Sequence, residues 1–204
     1  MFDSNRNHVL PRSFYQQDGL SLAKALLGKV LLRRVGEQLT GGRIVETEAY
    51  LGLQDPAAHS YKGNTQRTRI QFSPGGFAYV YLIYGMHCCM NIVAAPKGTP
   101  HVVLLRALEP VTGLDLMEQR RHTNRVYNLC SGPGKLCQAM AIDRSCYGMD
   151  LLGDQLWLED APALPKEQIA VSKRIHIDYA GEAANWPYRF CVADSAFLSA
   201  PAEN

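Results

Sequence analysis

Two glutamates one residue apart, Glu46 and Glu48, stand just before Tyr50 in the segment Arg43-Ile-Val-Glu-Thr-Glu-Ala-Tyr50. Read as a strand, this segment alternates its side chains between two faces. Ile44, Glu46, Glu48 and Tyr50 then share one face, and Arg43, Val45, Thr47 and Ala49 share the other. Neighbours on a face lie roughly 6–7 Å apart. A carboxylate beside an aromatic ring can act as the base for attack of water on a sugar carbon. The same pattern suits the solvated outer face of an antiparallel sheet. As an acid and base pair on carbohydrate, the two glutamates fall nearer the retaining than the inverting separation, but carboxylates on one strand seldom straddle a bond.

A second segment, Phe77–Ala95, carries no charged residue and holds tyrosines at 79, 81 and 84. Its length would suit a membrane helix. Three tyrosines, His87 and Asn91 make that placement costly. It reads instead as two apolar strands joined at Tyr84–His87, with Gly85 supplying the turn. Tyr84 then stands at a hairpin tip beside Met86 and His87. A ring so placed could fill the gap left when a base is pried from a duplex.

A third candidate is Ser131-Gly-Pro-Gly-Lys135. Free N–H groups at a helix start attract phosphate, and Lys135 adds a point charge. The segment equally suits a helix cap with proline in the first turn. It lacks the Gly-x-x-x-x-Gly-Lys spacing of a P-loop.

The elements around these candidates point to an α+β domain. Leu20–Leu27 suggests a helix ended by Gly28, followed by a strand at Lys29–Val35 that joins the glutamate strand through Gly36 and Gly41-Gly42. Asp55–Gly76 is a polar loop region, and another apolar strand covers Val102–Leu108. Thr112 is placed to cap a helix running towards Arg121, and Ser131–Lys135 opens another. Late strands are expected at Gln155–Leu158, Ile169–Ile177 and Arg189–Val192. Hairpins and helices without a βαβ rhythm argue for α+β.

At 204 residues, with 47% hydrophobic and 20% charged content, the chain suits one domain over 1–204, with 1–13 and 197–204 as peripheral tails. No apolar signal segment opens it, and six cysteines without Cys-x-x-Cys pairing read as free thiols of a reducing cytoplasm. No Cys/His set has zinc-ligand spacing, so no metal is expected. A net charge of +2 is low for a nucleic-acid binder, so positive charge would have to be local. Candidates are Lys62, Arg67 and Arg69, then Arg120, Arg121 and Arg125, with Lys173 and Arg174 behind them.

Arg43–Gly52, Tyr79–Met86, Val103–Pro110 and Leu129–Gln138 occur in that order and spacing. Together they closely resemble the alkyladenine (3-methyladenine) DNA glycosylases of the methylpurine type, from about Phe14 to about Ala196. The resemblance implies one domain built around a curved, largely antiparallel sheet, with helices around it and a protruding hairpin. It implies a monofunctional base-excision-repair enzyme that flips alkylated or deaminated purines out of duplex DNA and hydrolyses the N-glycosidic bond. Candidate lesions are 3-methyladenine, hypoxanthine and ethenoadenine. Glu48 matches the family's catalytic base, and Arg106 the arginine that helps hold the water and the backbone. Tyr50 and Tyr81 match the rings that sandwich the base, and His59 the residue that bonds its edge. Asn91 matches the side chain that crowds the guanine 2-amino group, Tyr84 the wedge, and Lys135 a helix-start lysine near the DNA backbone, with Ser131 and Gly132 beside it. His87 stands where mammalian members have tyrosine, and their long N-terminal extension is missing. No cofactor is implied. The partner is damaged double-stranded DNA, met by a monomer in the cytoplasm, on the nucleoid in a bacterium. The rival classes are a non-catalytic nucleic-acid-binding module and a carbohydrate glycoside hydrolase.

Overall fold

A computed structural model describes residues 8–202. In chain order these form α1 (Arg12–Tyr15), α2 (Gly19–Leu26), β1 (Val30–Val35), β2 (Gln38–Tyr50), β3 (Ala78–Ile83), β4 (His87–Ala94) and β5 (His101–Thr112). There follow α3 (Leu114–Arg121), α4 (Val126–Leu129), α5 (Pro133–Ala139), β6 (Leu156–Glu159), β7 (Ile169–Ser172) and β8 (Arg189–Val192). The eight strands make one antiparallel sheet with the path β3-β4-β5-β2-β1-β6, to which β8 and β7 are added beside β2. The sheet is open, and the fold is the single-domain α+β arrangement expected. No helix among the described residues is long and apolar enough to cross a membrane.

β2 is the axis of the sheet. One edge pairs with β5 along most of its length. The other edge pairs with β1 over residues 38–43 and with β8 over 46–48. At the changeover the ladder carries two compensating bulges. Ile44 faces Leu108, Glu46 faces Ala107 and Thr47 faces Leu105, so Val45 on β2 and Arg106 on β5 are each one residue extra. A bulge re-aims the side chains beside it. Ile44 therefore lies in the main core with Ala49, although simple alternation grouped it with Glu46 and Glu48. Beyond the bulge, Thr47 faces inward and donates its hydroxyl to the Ala23 carbonyl of α2 at 2.9 Å.

Several boundaries differ from the sequence reading. Gly41 and Gly42 lie inside β2, and the turn sits at Gly36. A Cβ on Gly42 would stand 2.8 Å from Leu108 Cβ, so glycine there serves close strand packing. Thr112 ends β5, and Gly113 takes the cap position of α3. β7 stops at Ser172, after which the chain turns into 3-10 structure over Asp178–Asn185. The expected tails are partly built in. Leu10 is buried, Arg12 pairs with Asp150 at 2.6 Å, and Ala200 and Pro201 accept hydrogen bonds from Arg189. Residues 1–7 and 203–204 lie outside the described residues.

The main core packs the sheet's inner face against α2, α3 and α5 through Leu22, Leu26, Met117, Leu136 and Met140. Asp18 caps α2 by accepting from the N–H groups of Leu20 and Ser21. Between β3 and β4, Tyr84 and Gly85 both adopt positive φ, 52° and 72°. That pairing matches the right-handed twist of the strands and makes a tight hairpin. A non-glycine residue at positive φ is uncommon, so Tyr84 is held in a turn that most side chains resist.

Candidate active site

Four strands send alternate side chains into one cavity of about 820 Å³. β3 contributes Tyr79, Tyr81 and Ile83, β4 contributes His87, Cys89 and Asn91, β5 contributes Val102, Leu104 and Arg106, and β2 contributes Tyr50. The intervening Val80, Met90, Ile92, Val103 and Leu105 lie in the main core. The volume falls in the range of small-molecule sites.

Glu48 sits directly beneath the cavity wall and is wholly buried. Its Oε2 accepts from the Tyr50 hydroxyl at 2.8 Å, and its Oε1 accepts from the Ile175 N–H at 2.7 Å. Arg106 Nη1 lies 3.3 Å from the same Oε1. Tyr50, Arg106 and Ile175 all line the cavity. Burial, reinforced by the Glu48 carboxylate, pushes the Tyr50 hydroxyl far above its ordinary range, so it stays a donor.

Glu46 is also wholly buried but is fully occupied. Its Oε1 accepts from Arg106 Nε and Arg189 Nε, both at 2.8 Å, and from the Ser199 hydroxyl at 2.7 Å. Its Oε2 accepts from the Ser199 N–H at 2.6 Å. Burial alone would raise this carboxyl, but Arg106, the Ser199 N–H and Arg189 outweigh it and hold it below the ordinary value. Burial likewise works against the charge on Arg106, and Glu48 and Glu46 outweigh it. Two carboxylates and two guanidiniums thus balance within the sheet. Glu46 anchors the cations, and Glu48 has the lighter engagement.

The aromatic walls are fixed from behind. Arg174 lies 4.7 Å from the Tyr50 ring centroid and 5.2 Å from that of Tyr188. Its guanidinium pairs with buried Asp55 through both nitrogens and donates to the Ala49 and Ala183 carbonyls. This corrects the placing of Arg174 among cations for a nucleic acid: it is a buried strut. On the opposite wall, His59 meets the Tyr81 ring edge-on at 4.5 Å. His59 Nδ1 is 2.8 Å from the Tyr79 hydroxyl, and Arg67 approaches Nε2 at 3.4 Å. Arg67 can only donate, so Nε2 accepts and Nδ1 carries the proton. Burial of the imidazole, then the Arg67 charge, lowers its pKa to about 4, although His59 keeps an exposed face at the cavity mouth. Asn91 donates from Nδ2 to the Tyr79 carbonyl at 3.2 Å, which fixes its amide in the wall.

At the mouth, Tyr84 is 82% exposed and Met86 72% exposed. His87 packs against Gly134, where a Cβ would stand 3.2 Å from the His87 Cβ. Lys135 is held by Asn128 at 2.5 Å and by Ser131 at 3.4 Å. Ser131, Gly132 and Lys135 line the same cavity as Tyr84 and His87. Candidate residues from all four sequence segments therefore meet at one opening. Met86 stands at the tip outside the cavity wall.

Of the cations singled out, Arg67 lies over the Tyr81 ring at 5.0 Å, and Lys62, Arg69 and Arg125 are exposed. Arg120 and Arg121 spend donors on the Ala139 and Leu129 carbonyls. Four contributors were missed: Arg189, Ser199, Ile175 and Tyr79. Arg189 and Ser199 could not be read locally, since each meets Glu46 across more than a hundred residues. Tyr79 carried a signal, its i, i+2 spacing with Tyr81 on an apolar strand. No group of three or more His, Cys, Asp or Glu that could hold a metal ion occurs among the described residues.

The family model of methylpurine-DNA glycosylase (MPG) matches residues 13–196. A relative from Alkaliphilus oremlandii, provisionally named a 3-methyladenine DNA glycosylase, is 47% identical over 199 residues, covering 93% of this chain and 98% of its own. Similarly named relatives from Desulfitobacterium hafniense and Methanocella arvoryzae are 44% and 47% identical, with 93% and 94% of this chain covered and 98% and 96% of theirs. By the extent of that match, the chain belongs to the methylpurine-DNA glycosylase family.

Proposed function

We propose that this DNA glycosylase extrudes an alkylated or deaminated purine, with 3-methyladenine as the leading candidate, and hydrolyses its glycosidic bond as a monofunctional enzyme. One observation carries the reading. Glu48 is a wholly buried carboxylate at the foot of an aromatic cavity, and its hydrogen-bonding neighbours Tyr50 and Arg106 form the wall.

In this reading Tyr84 enters the duplex and fills the gap left by the extruded nucleotide. The base stacks between Tyr50 and Tyr81. A cationic base is attracted by the faces of both rings and departs readily. Glu48 takes a proton from a water held beside Arg106, and the water oxygen bonds to C1′. The electrons of the C1′–N bond leave with the base, so a cationic purine departs neutral and an abasic site remains. His59 is neutral at physiological pH and presents its ring to the base edge. Asn91, anchored to the Tyr79 carbonyl, rejects a guanine 2-amino group by crowding. Ser131, Gly132 and Lys135 face the backbone of damaged duplex DNA. The enzyme works as a monomer in the cytoplasm, where DNA repair requires it. The carbohydrate-hydrolase reading needs Glu46 and Glu48 as a free pair, and Glu46 already accepts four hydrogen bonds. A binding module without chemistry would have no use for a second buried carboxylate beside Arg106.

The test is excision from a panel of duplexes, each with one lesion, assayed with EDTA and with borohydride. The expected result is a free base, an intact abasic strand, no trapped adduct and no sensitivity to chelator. A borohydride-trapped adduct would overturn the monofunctional assignment, because it requires an amine nucleophile. Failure to release any damaged purine would overturn the substrate reading.

A further inference from the structure

Gln71 lies in the cavity wall, on the 3-10 turn Arg69–Phe72, and is wholly buried. Its backbone is tied down by a bond from Gln71 N–H to the Thr68 carbonyl at 2.9 Å. Its side chain is not. Both Oε1 and Nε2 are buried, and neither makes a hydrogen bond within the protein. The amide lies within reach of the Tyr79 hydroxyl and bears on its acidity, but the pair falls outside strict hydrogen-bond geometry. Among the described residues, no other side chain in this wall leaves a buried polar atom unpartnered. Buried polar groups are nearly always paired, because leaving one unpaired destabilises the fold. An unpaired amide shielded just behind a cavity wall can find its partner when a ligand enters and the wall yields slightly.

We infer that Gln71 is a specificity-determining residue that hydrogen-bonds the edge of the extruded purine, an inference that rests on the glycosylase reading above. An amide offers one acceptor and one donor side by side. That pair matches the adenine edge, whose 6-amino donor adjoins a ring-nitrogen acceptor. Turned by half a rotation, the same amide matches a 6-oxo purine, whose oxygen accepts while N1–H donates. One side chain therefore reads purines substituted at C6 with either nitrogen or oxygen. His59 cannot duplicate this, since Tyr79 and Arg67 occupy both of its ring nitrogens. Asn91 has one N–H committed to the Tyr79 carbonyl, which fixes its amide in the wall.

Gln71→Met tests this, because methionine keeps the length and removes both polar atoms. Three measurements are made: melting temperature of the free protein, single-turnover excision of hypoxanthine, and affinity for a duplex carrying a tetrahydrofuran abasic site. The variant should melt higher than wild type, since the unpaired amide is gone. Excision should fall by roughly ten- to a hundredfold, as expected when a partner is left unpaired in a closed site. Affinity for the abasic duplex should not change, because no base is there to be read. A lower melting temperature or a failure to fold would overturn the inference, since the amide would then be satisfied within the protein. Equal losses on abasic and lesion DNA would also overturn it, assigning Gln71 to the shape of the wall. Excision within threefold of wild type would remove the role of Gln71 and leave the glycosylase reading standing. Absence of excision by the wild-type protein of both hypoxanthine and 3-methyladenine would instead remove the glycosylase reading.

Discussion

Glu46 and Glu48 stand one residue apart on one strand, both wholly buried, yet exchanging each for glutamine should have opposite consequences. At Glu48 the amide has a workable geometry. Its oxygen can keep the Ile175 N–H, and its NH2 can donate to the Tyr50 hydroxyl, which reverses its own role. The two charged hydrogen bonds become neutral ones and Arg106 loses its 3.3 Å contact with a charge but keeps Glu46, so the stability loss should be about 1–2 kcal/mol. For a domain of this size that is roughly 2–8 °C in melting temperature. Loss of the base should lower excision by about 10²–10⁴. At Glu46 no orientation works. With NH2 at the Oε2 position, it confronts the Ser199 N–H; with NH2 at Oε1, it confronts two arginines. Breaking such a buried pair costs about 3–5 kcal/mol, or roughly 6–20 °C. Thermal unfolding and single-turnover excision, run on both variants, read the two effects separately. The reasoning would be refuted by a Glu48→Gln protein that excises within tenfold of wild type. It would equally fail if Glu46→Gln melted like wild type while losing as much excision as Glu48→Gln.

Three further outcomes are expected. Tyr84→Ala should lower excision more for a lesion in a stable pair than for one in a mismatch, where extrusion is already easier; equal losses, followed with a fluorescent base beside the lesion, would move the wedge to Met86 or His87. Asn91→Ala should raise excision of guanine-derived relative to adenine-derived lesions, and an unchanged ratio would show that Asn91 does not guard the cavity. Glu46 is held below its ordinary value of 4.5, so its stabilising contribution is present above that pH and lost as pH falls through the lower folded value. Urea unfolding between pH 6 and 3 should show this acid limb, and Glu46→Gln should flatten it.

The family resemblance named most of the candidate site, and the strand period explains why several of its residues share one face. Tyr79, Tyr81, Cys89, Asn91, Leu104 and Arg106 fall on one face because alternate residues must, and the hairpin at Tyr84–Gly85 follows from turn chemistry. Reading failed where register slipped. The paired bulges at Val45 and Arg106 move Ile44 into the core, and no local pattern announces them, because they depend on which strand lies opposite. Gly41 and Gly42 looked like a turn because close packing and positive φ call for the same residue. Arg174 looked like surface charge, and Arg189 went unremarked, because their acids, Asp55 and Glu46, are remote in sequence. Gln71 carried no signal at all, since an unsatisfied amide is defined by what surrounds it.

The clasp on Glu46 spans the chain: its partners Arg189 and Ser199 follow it by 143 and 153 residues. Synthesis runs from the N-terminus at about 5–20 residues per second, so Glu46 waits on the order of 10 s or longer for Ser199 to be made. Through that interval a nascent chain can already pair β3 with β4 and display Tyr84. The guanidinium of Arg189 that offsets Glu46 has not yet been translated. The ribosome thus delivers the hairpin that carries Tyr84 well before the residues that close the clasp on Glu46.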